Sequence, residues 1–339
     1  MKKLRVAQIG MYHEHAPGKF DALRKMPDEV EILGVVDEHD FCQVPKFSDW
    51  ISPCYDGYPR LTLDEVFAMK NELDFVVVEV PNLELVRIGM MCAQQGIPIH
   101  LDKPAGLDLE EYRKLLECCR KNNVPLQMGY MLRTNPALSY ARQLVKDGVL
   151  GDIYSITMDM NHGYGGDPYN EYLRLFPGGI MFNLGCHLID YIISVMGEPE
   201  CVTPFLKATA DVDQATVNNT MAVFSYPNAL AHISICSKRL AGCTTERCVV
   251  IEGTNGRIRI QPMETFAPNS LRMSLKVHEA RGSFPAGTDT TVTFPPLNDR
   301  YIAQLRELGE IVRSGKTPEY SYDHDYSVHK ITLKAAGII

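Results

Sequence analysis

Three polar residues interrupt an otherwise apolar stretch between residues 178 and 190. Asn183, His187 and Asp190 recur at spacings of four and three residues, which places them near one face of a predicted helix. The pKa of histidine lies near neutral pH, so His187 can exchange a proton with a hydroxyl group while hydride leaves or reaches the adjacent carbon. The spacing predicts an acid/base site at His187. The alternative is a histidine that serves only the packing of the helix.

A second reactive side chain lies where a predicted strand ends. Lys103 follows the apolar residues 97–101, with Asp102 before it and Pro104 after it. Ligands of open α/β sheets bind just beyond the carboxyl ends of the strands. A lysine there has three donors with which to hold hydroxyl groups and to stabilise charge on a reacting oxygen. The competing interpretation is an exposed loop lysine.

The turn after the first predicted strand has the position of a phosphate-binding turn but not its composition. Gly10 supplies the first glycine of a G-x-G-x-x-G pattern, whereas Tyr12 and His15 occupy the second and third glycine positions. Glycines let backbone amides approach a pyrophosphate, and larger side chains obstruct that approach. We therefore expect an altered dinucleotide contact at this turn, with Tyr12 and His13 beside the cofactor.

The second predicted strand ends in an acidic residue. Asp37 follows Gly34 and two valines, at the tip where an NAD enzyme binds the ribose 2′-hydroxyl. A carboxylate repels the 2′-phosphate of NADP, so the sequence favours NAD over NADP. The alternative is an acidic residue that is simply solvated.

These residues belong to a first region in which apolar runs alternate with amphipathic stretches. Alternation of this kind indicates βαβ units and a mainly parallel sheet. We therefore predict an α/β Rossmann domain over residues 1–125. The predicted strands cover residues 4–9, 31–36, 75–80, 97–101 and 124–129, and the predicted helices cover residues 83–95 and 109–121.

The second region is predicted to be an α+β domain with an open, mainly antiparallel sheet, over residues 126–339. We expect its late C-terminal helix, residues 299–314, to pack back on the first domain. An open sheet exposes one face, so we also expect a homodimer or homotetramer. The predicted strands cover residues 153–160, 220–226, 231–237, 248–252 and 257–260, and a further helix covers residues 186–196.

Composition narrows the classes of protein. A formal net charge of −8 argues against nucleic acid and anionic membranes as partners. No run approaches eighteen apolar residues, and the amino terminus lacks the features of a signal peptide, so we expect a cytoplasmic protein whose ten cysteines are reduced. No spacing selects a metal-ligand set among His13, His15, His162 and His324, and no metal is predicted.

Together these motifs resemble the Gfo/Idh/MocA family of sugar and cyclitol dehydrogenases, and the resemblance runs through nearly the whole chain. The order of the motifs carries it: an acidic strand tip, a Pro-Asn pair after a buried strand, a Lys-Pro pair, a glycine pair and a late histidine. The matching residues are Asp37, Pro81, Asn82, Lys103, Pro104, Gly178, Gly179, His187 and Asp190. Further matches lie at residues 127–130, Arg133, residues 135–136 and residues 250–256.

The resemblance implies an NAD-dependent oxidoreductase that acts on a CH–OH group of a small sugar or cyclitol. Lys103 would contact the nicotinamide ribose and the substrate, and His187 would serve as the acid/base. Arg133 and Tyr130 would line the substrate side, and Tyr164 would offer an aromatic face to a sugar. The implied substrate-binding residues are Asn183, Arg133, Tyr130, Asp190 and Tyr164, and the implied cofactor-binding residues are Gly10, Tyr12, His13, Asp37, Pro81, Asn82, Asp102 and Lys103.

The sequence departs from the family pattern at three places. The acid before the Lys-Pro pair is the shorter Asp102, the glycine turn is mostly lost, and Asn183 stands where the family has a carboxylate four residues before His187. A neutral amide cannot stabilise an imidazolium as a carboxylate does. We therefore expect Asn183 to orient the substrate through hydrogen bonds.

Two other functions remain open from the sequence. One is a redox-neutral lyase or glycosidase in which tightly held NAD transiently oxidises the sugar at C3. The other is a sugar-sensing relative without catalysis, suggested by the missing glycines and by Asn183. Retention of both Lys103 and His187 favours the dehydrogenase.

Overall fold

The computed structural model describes residues 2–37, 39, 42, 51–163, 167–238, 243–297 and 299–339. Its contacts divide the chain into two compact units. The first comprises Met1–Tyr130 with Asp299–Tyr326, and the second comprises Met131–Asn298 with Ser327–Ile339. The first unit thus extends five residues past the predicted boundary at residue 125 and includes a late segment of the chain.

The first unit is built on a six-stranded parallel sheet with the order β3-β2-β1-β4-β5-β6. Its central strands β4 and β5 are fully buried because both faces of a parallel sheet are covered, and β4 is a continuous apolar run. The predicted Rossmann fold is confirmed. The strands are β1 (Leu4–Ile9), β2 (Val30–Val36), β3 (Arg60–Leu61), β4 (Phe75–Val78), β5 (Ile99–Leu101) and β6 (Leu126–Met128).

Helices cover this sheet, and their ends follow local capping rules. Asp108 accepts hydrogen bonds from the backbone of Glu110 and Glu111 at the start of α4, and Asn123 ends that helix in the left-handed conformation. The late helix contributes Leu305 and Leu308 to the core around Leu4. The helices are α1 (Ala16–Arg24), α2 (Leu63–Ala68), α3 (Leu85–Gln94), α4 (Leu109–Asn122) and, late in the chain, α8 (Ile302–Ser314).

The second unit is built on an eight-stranded sheet with the order β14-β13-β12-β11-β7-β10-β9-β8. Among the described strands of this sheet, β7 and β10 alone pair in parallel, so the predicted open and mainly antiparallel sheet is confirmed. The strands are β7 (Ile153–Asp159), β8 (Cys201–Lys207), β9 (Asn219–Tyr226), β10 (Ala229–Cys236), β11 (Cys248–Gly253), β12 (Gly256–Ile260), β13 (Arg272–Val277) and β14 (Thr290–Thr293).

One long helix packs against this sheet. It begins at Gly179, seven residues before the predicted start, because the glycine pair admits a close backbone approach: a Cβ on Gly179 would lie 2.0 Å from the carbonyl oxygen of Val217. By length and composition this helix could cross a membrane, but 83% of it is buried inside the protein, as in a core helix. The remaining helices are α5 (Pro136–Lys146), α6 (Asp167–Leu173), α7 (Gly179–Met196) and α9 (Tyr322–Ala335).

Candidate functional site

The predicted site residues fall into two groups, one in each unit. The first group surrounds the carboxyl ends of β1, β2, β4 and β5, and the second lies on α7 and the segments beside it. Tyr164 lies outside the described residues. Each group is described separately below.

Gly10 is held in a conformation that side chains rarely adopt. Its φ angle is +107°, and a Cβ there would lie 2.3 Å from the carbonyl oxygen of Glu79 and 2.9 Å from the amide of Val80. Glycine is therefore required at this point of the turn. The chain consequently passes directly over the end of β4.

The second glycine position of the pattern is filled by a buried tyrosine. The Tyr12 hydroxyl donates a hydrogen bond to Asp37 at 3.3 Å, and the backbone amide of His39 donates to the same carboxylate at 2.9 Å. These two contacts orient the acid at the tip of β2. Tyr12 thus links the turn to the acid that is predicted to bind ribose.

His13 and His15 both face Asp102. Their Nδ1 atoms lie 3.0 and 2.9 Å from the same carboxylate oxygen. Burial lowers the pKa of His13, but the charge of Asp102 and the hydrogen bond to it raise that pKa to about 10. Burial would raise the pKa of Asp102, yet the neighbouring His15 and His13 hold it well below its usual range. Asp102 is therefore a buried anion at neutral pH.

Lys103 is almost fully buried at the end of β5. Its carbonyl oxygen accepts a hydrogen bond from the Asn82 side-chain amide at 2.7 Å, which ties the end of β4 to the end of β5. Burial raises the pKa of Glu14, whereas His15, Lys103 and His13 lower it, with a net decrease. The positive charge of Lys103 therefore stabilises the Glu14 carboxylate in the turn. The competing interpretation of an exposed loop lysine is wrong, because Lys103 is buried.

Sequence reasoning missed a buried polar network beneath this group. The Lys19 Nζ atom lies 3.6 Å from a Glu79 carboxylate oxygen and 4.7 Å from the ring centre of Tyr301. The same atom donates a hydrogen bond to His100. Burial and the charge of Lys19 lower the pKa of His100 to about 3. His100 is thus neutral: its Nε2 accepts from Lys19, and its Nδ1 donates to Gln127 at 2.9 Å.

In the second unit, α7 buries Asn183, His187 and Asp190. The Tyr169 hydroxyl donates a hydrogen bond to Asn183 Oδ1 at 2.9 Å, and the Tyr169 ring stacks on His162 with centroids 4.8 Å apart. Asn183 therefore has a fixed orientation, with its carbonyl oxygen turned toward Tyr169. Sequence reasoning did not single out Tyr169.

Arg133 and Asp190, both predicted to bind substrate, bind each other. Two guanidinium nitrogens donate to the carboxylate, with distances of 2.7 to 3.2 Å, and both side chains are buried. A buried bidentate pair fixes the geometry of its partners. This pair therefore joins α7 to the segment at residues 131–134.

The remaining predicted residues are Pro81 and Tyr130. Both are buried in the first unit, and the Pro81 carbonyl accepts a hydrogen bond from the Glu84 amide. No disulfide joins the cysteines described by the structure. Among the described residues, His13 and His15 belong to a group of potential metal ligands, and that group includes neither His162 nor His324.

The residues of the first unit fit a dinucleotide. Gly10 keeps the turn close to the sheet, and the carboxylate of Asp37 lies at the strand tip where ribose hydroxyls are bound. The fold and these residues together define a Rossmann-type dinucleotide-binding oxidoreductase.

Comparison with known proteins gives the family. Residues 4–130 match the oxidoreductase family with an NAD-binding Rossmann fold, and residues 138–259 match the GFO/IDH/MocA C-terminal domain. Together these two matches span more than half of the chain. The chain belongs to the Gfo/Idh/MocA family and has an NAD-binding Rossmann domain.

Two relatives illustrate the chemistry of similar proteins. The chain is 27% identical to the scyllo-inositol 2-dehydrogenase (NAD(+)) of Bacillus subtilis over 259 residues, 73% of this chain and 69% of that protein. It is 24% identical to the D-apiose dehydrogenase of Paraburkholderia graminis over 286 residues, 77% of this chain and 71% of that protein.

A solved structure shares the fold. An oxidoreductase from Agrobacterium radiobacter, determined in complex with NAD+, L-tartaric acid and magnesium, matches with a TM-score of 0.77 at 15% identity, covering 99% of this chain and 97% of that chain.

Proposed function

We propose that this protein is an NAD-dependent dehydrogenase that transfers hydride to or from a secondary hydroxyl carbon of a sugar, a sugar derivative or a cyclitol. The observation that carries the proposal is the combination of an NAD-binding family domain with a buried lysine at the end of β5 and a buried histidine on α7. The relatives reported above are named as dehydrogenases, and they give no support to the lyase or sensor alternatives.

NAD+, which Gly10 and Asp37 would hold at the ends of β1 and β2, would supply the acceptor for the hydride that leaves the hydroxyl-bearing carbon. Lys103 donates hydrogen bonds to the substrate oxygen and stabilises negative charge as it develops there. His187 takes the hydroxyl proton on an imidazole nitrogen and returns it in the reverse reaction. Asn183, held by Tyr169, orients a further hydroxyl. The oxidised product is a ketone: the carbon loses a hydride to NAD+, and the hydroxyl oxygen loses its proton to His187.

The test of this function begins with the purified full chain. Denaturation followed by absorbance and mass spectrometry shows whether NAD copurifies, and assays at 340 nm then survey a panel of sugars and cyclitols. We expect net NADH formation with at least one polyol. Bound NAD with sugar turnover but no net NADH would replace this proposal by the redox-neutral route, and absence of both NAD binding and turnover would refute it.

Asp37 is proposed to set the preference for NAD. Because a carboxylate accepts hydrogen bonds from ribose hydroxyls, Asp37→Ser should weaken NAD binding about tenfold, a loss of about 1.5 kcal/mol, and should narrow the difference between NAD and NADP. Titration calorimetry with each dinucleotide measures both effects. Asp56→Ser changes an exposed acid of the same unit and serves as the control. Equal losses of NAD affinity in Asp37→Ser and Asp56→Ser would contradict the proposal that Asp37 binds the ribose.

We also propose that the outer face of the second sheet forms a contact between copies of this chain. Phe205, Met221 and Leu230 are 53%, 40% and 56% exposed, and the strand register places them on one face. Exposed apolar patches on a sheet are usually covered. Phe205→Glu should dissociate the oligomer, as measured by light scattering. Phe266→Glu, at a half-exposed phenylalanine outside that sheet, should leave the mass unchanged, and an unchanged mass in Phe205→Glu would refute the contact.

A further inference from the structure

Four potential metal ligands converge at the carboxyl end of the first sheet. Among the residues that the structure describes, His13, His15, Glu79 and Asp102 form a group whose ligand atoms all lie within 4.8 Å of one another. Ligand atoms bound to one transition-metal ion at about 2.0 to 2.2 Å lie about 3 to 4 Å apart. The longest separation in the group must therefore shorten by about 1 to 2 Å, and each ligand atom must move about 1 Å toward the centre, to hold a single ion.

The outer hydrogen bonds of both histidines direct Nδ1 toward the centre of this group. The Asn82 amide nitrogen donates to the Lys103 carbonyl, so its Oδ1 is oriented to accept from His13 Nε2, which lies 3.3 Å away. His15 Nε2 lies 3.4 Å from a Glu14 carboxylate oxygen. Metal-binding histidines commonly donate their outer N–H to a carbonyl or carboxylate oxygen in this way. In the metal-free protein each Nδ1 carries the proton of a hydrogen bond to Asp102. An ion would replace these protons and bind the Nδ1 lone pair of each imidazole.

Glu79 supplies an independent indication. Its side chain is fully buried, and neither carboxylate oxygen accepts a hydrogen bond from the residues that the structure describes. The nearest charged groups are Lys19 Nζ at 3.6 Å and His13 Nδ1 at 3.8 Å. A buried carboxylate without hydrogen bonds is costly, and a bound cation removes that cost.

The charge of the cluster also favours a cation. An ion displaces the Nδ1 protons of both imidazoles when it binds. The carboxylates of Glu14, Glu79 and Asp102 then outnumber the ammonium groups of Lys19 and Lys103. A net negative charge in a buried site attracts a positive ion. His15 remains 22% exposed and gives the ion a route from solvent.

We propose that His13, His15, Glu79 and Asp102 bind one divalent first-row transition-metal ion. Mixed imidazole and carboxylate ligands select such ions over Mg²⁺ or Ca²⁺, which take oxygen ligands. The ion clamps the glycine-poor turn to the ends of β4 and β5, directly beside Lys103. The site shares His13 and Asp102 with the predicted cofactor-binding residues, but binding of the ion does not require the dehydrogenase activity.

The test uses the full chain, stripped with a chelator and measured without NAD. Titration calorimetry with Zn²⁺ should give one ion per chain, and Co²⁺ should give visible absorption bands. His15→Ala and Glu79→Gln should each weaken Zn²⁺ binding at least tenfold. Asn82→Ala removes the outer partner of His13 together with the hydrogen bond to the Lys103 carbonyl, and it should weaken Zn²⁺ binding about 10- to 100-fold.

His278→Ala is the matched control, because it removes an exposed histidine of the second unit. It should leave Zn²⁺ affinity unchanged. Thermal unfolding of the metal-free variants shows which of them fold. If Glu79→Gln does not fold, His15→Ala still tests the proposal, because His15 is partly exposed. Absence of stoichiometric Zn²⁺ binding, or equal affinity in wild type and His15→Ala, overturns the proposal in favour of a metal-free hydrogen-bonded cluster.

Discussion

Replacing His187 by glutamine should lower kcat by about 10²- to 10⁴-fold, the usual contribution of a general acid/base group. Glutamine keeps hydrogen-bonding capacity but cannot exchange a proton at neutral pH. NADH formation at 340 nm, with the polyol identified in the survey, measures the change. Binding of NAD should be unaffected, because His187 belongs to the second unit and NAD is assigned to the first.

The control for this prediction is His329→Gln, which removes another fully buried histidine of the second unit. The His329→Gln variant should have a lower free energy of unfolding without a comparable fall in kcat. If both variants lose activity in proportion to their stability, His187 is a packing residue and the acid/base lies elsewhere.

A second variant tests whether a carboxylate at position 183 changes the pKa of His187. Asn183→Asp restores a carboxylate four residues before His187, and Asp can still accept the hydrogen bond from Tyr169. A nearby carboxylate stabilises an imidazolium and so raises the pKa of the histidine. The acid limb of the kcat/KM profile for oxidation should therefore move to higher pH. An unchanged profile would mean that His187 is not the titrating group.

The parallel sheet of the first unit was largely predictable from sequence. Buried parallel strands are continuous apolar runs, and β1 has the predicted bounds while β2 and β5 differ by one or two residues at one end. The start of α7 was not predictable in the same way. Gly178 and Gly179 are typical of loops, and the close approach of the Ala336 carbonyl to Gly178 and of the Val217 carbonyl to Gly179 explains their place at a helix start.

The polar interior was the least predictable part of the site. Lys19 and Glu79 are charged residues, which are almost never fully buried unless paired, and nothing local in the sequence distinguishes them from surface residues. Arg133 and Asp190 are 57 positions apart, so their ion pair depends on tertiary packing. The sequence did identify His13 and Asp102 as site residues, but the convergence of His15 and Glu79 with them requires the fold.

Gly10→Ala should destabilise the protein by about 2 to 4 kcal/mol. About 1 kcal/mol comes from a side chain at positive φ, and about 1 to 3 kcal/mol comes from overpacking. The methyl group would meet the Glu79 carbonyl at 2.3 Å, and a backbone atom at the end of a central strand cannot rotate away as a flexible side chain can. Urea unfolding followed by circular dichroism measures the loss.

Gly96→Ala separates the two causes, because Gly96 also has a positive φ, +77°, but has no atom within 4 Å of the added Cβ. Its cost should be about 1 kcal/mol, so the difference between the variants measures the clash alone. Equal losses of unfolding free energy in the two variants would show that the backbone at the end of β4 moves to accommodate the methyl group. Since the clash falls on the backbone of Glu79, any such movement would also displace this carboxylate from His13 and Lys19, and Zn²⁺ affinity would then fall in Gly10→Ala but not in Gly96→Ala.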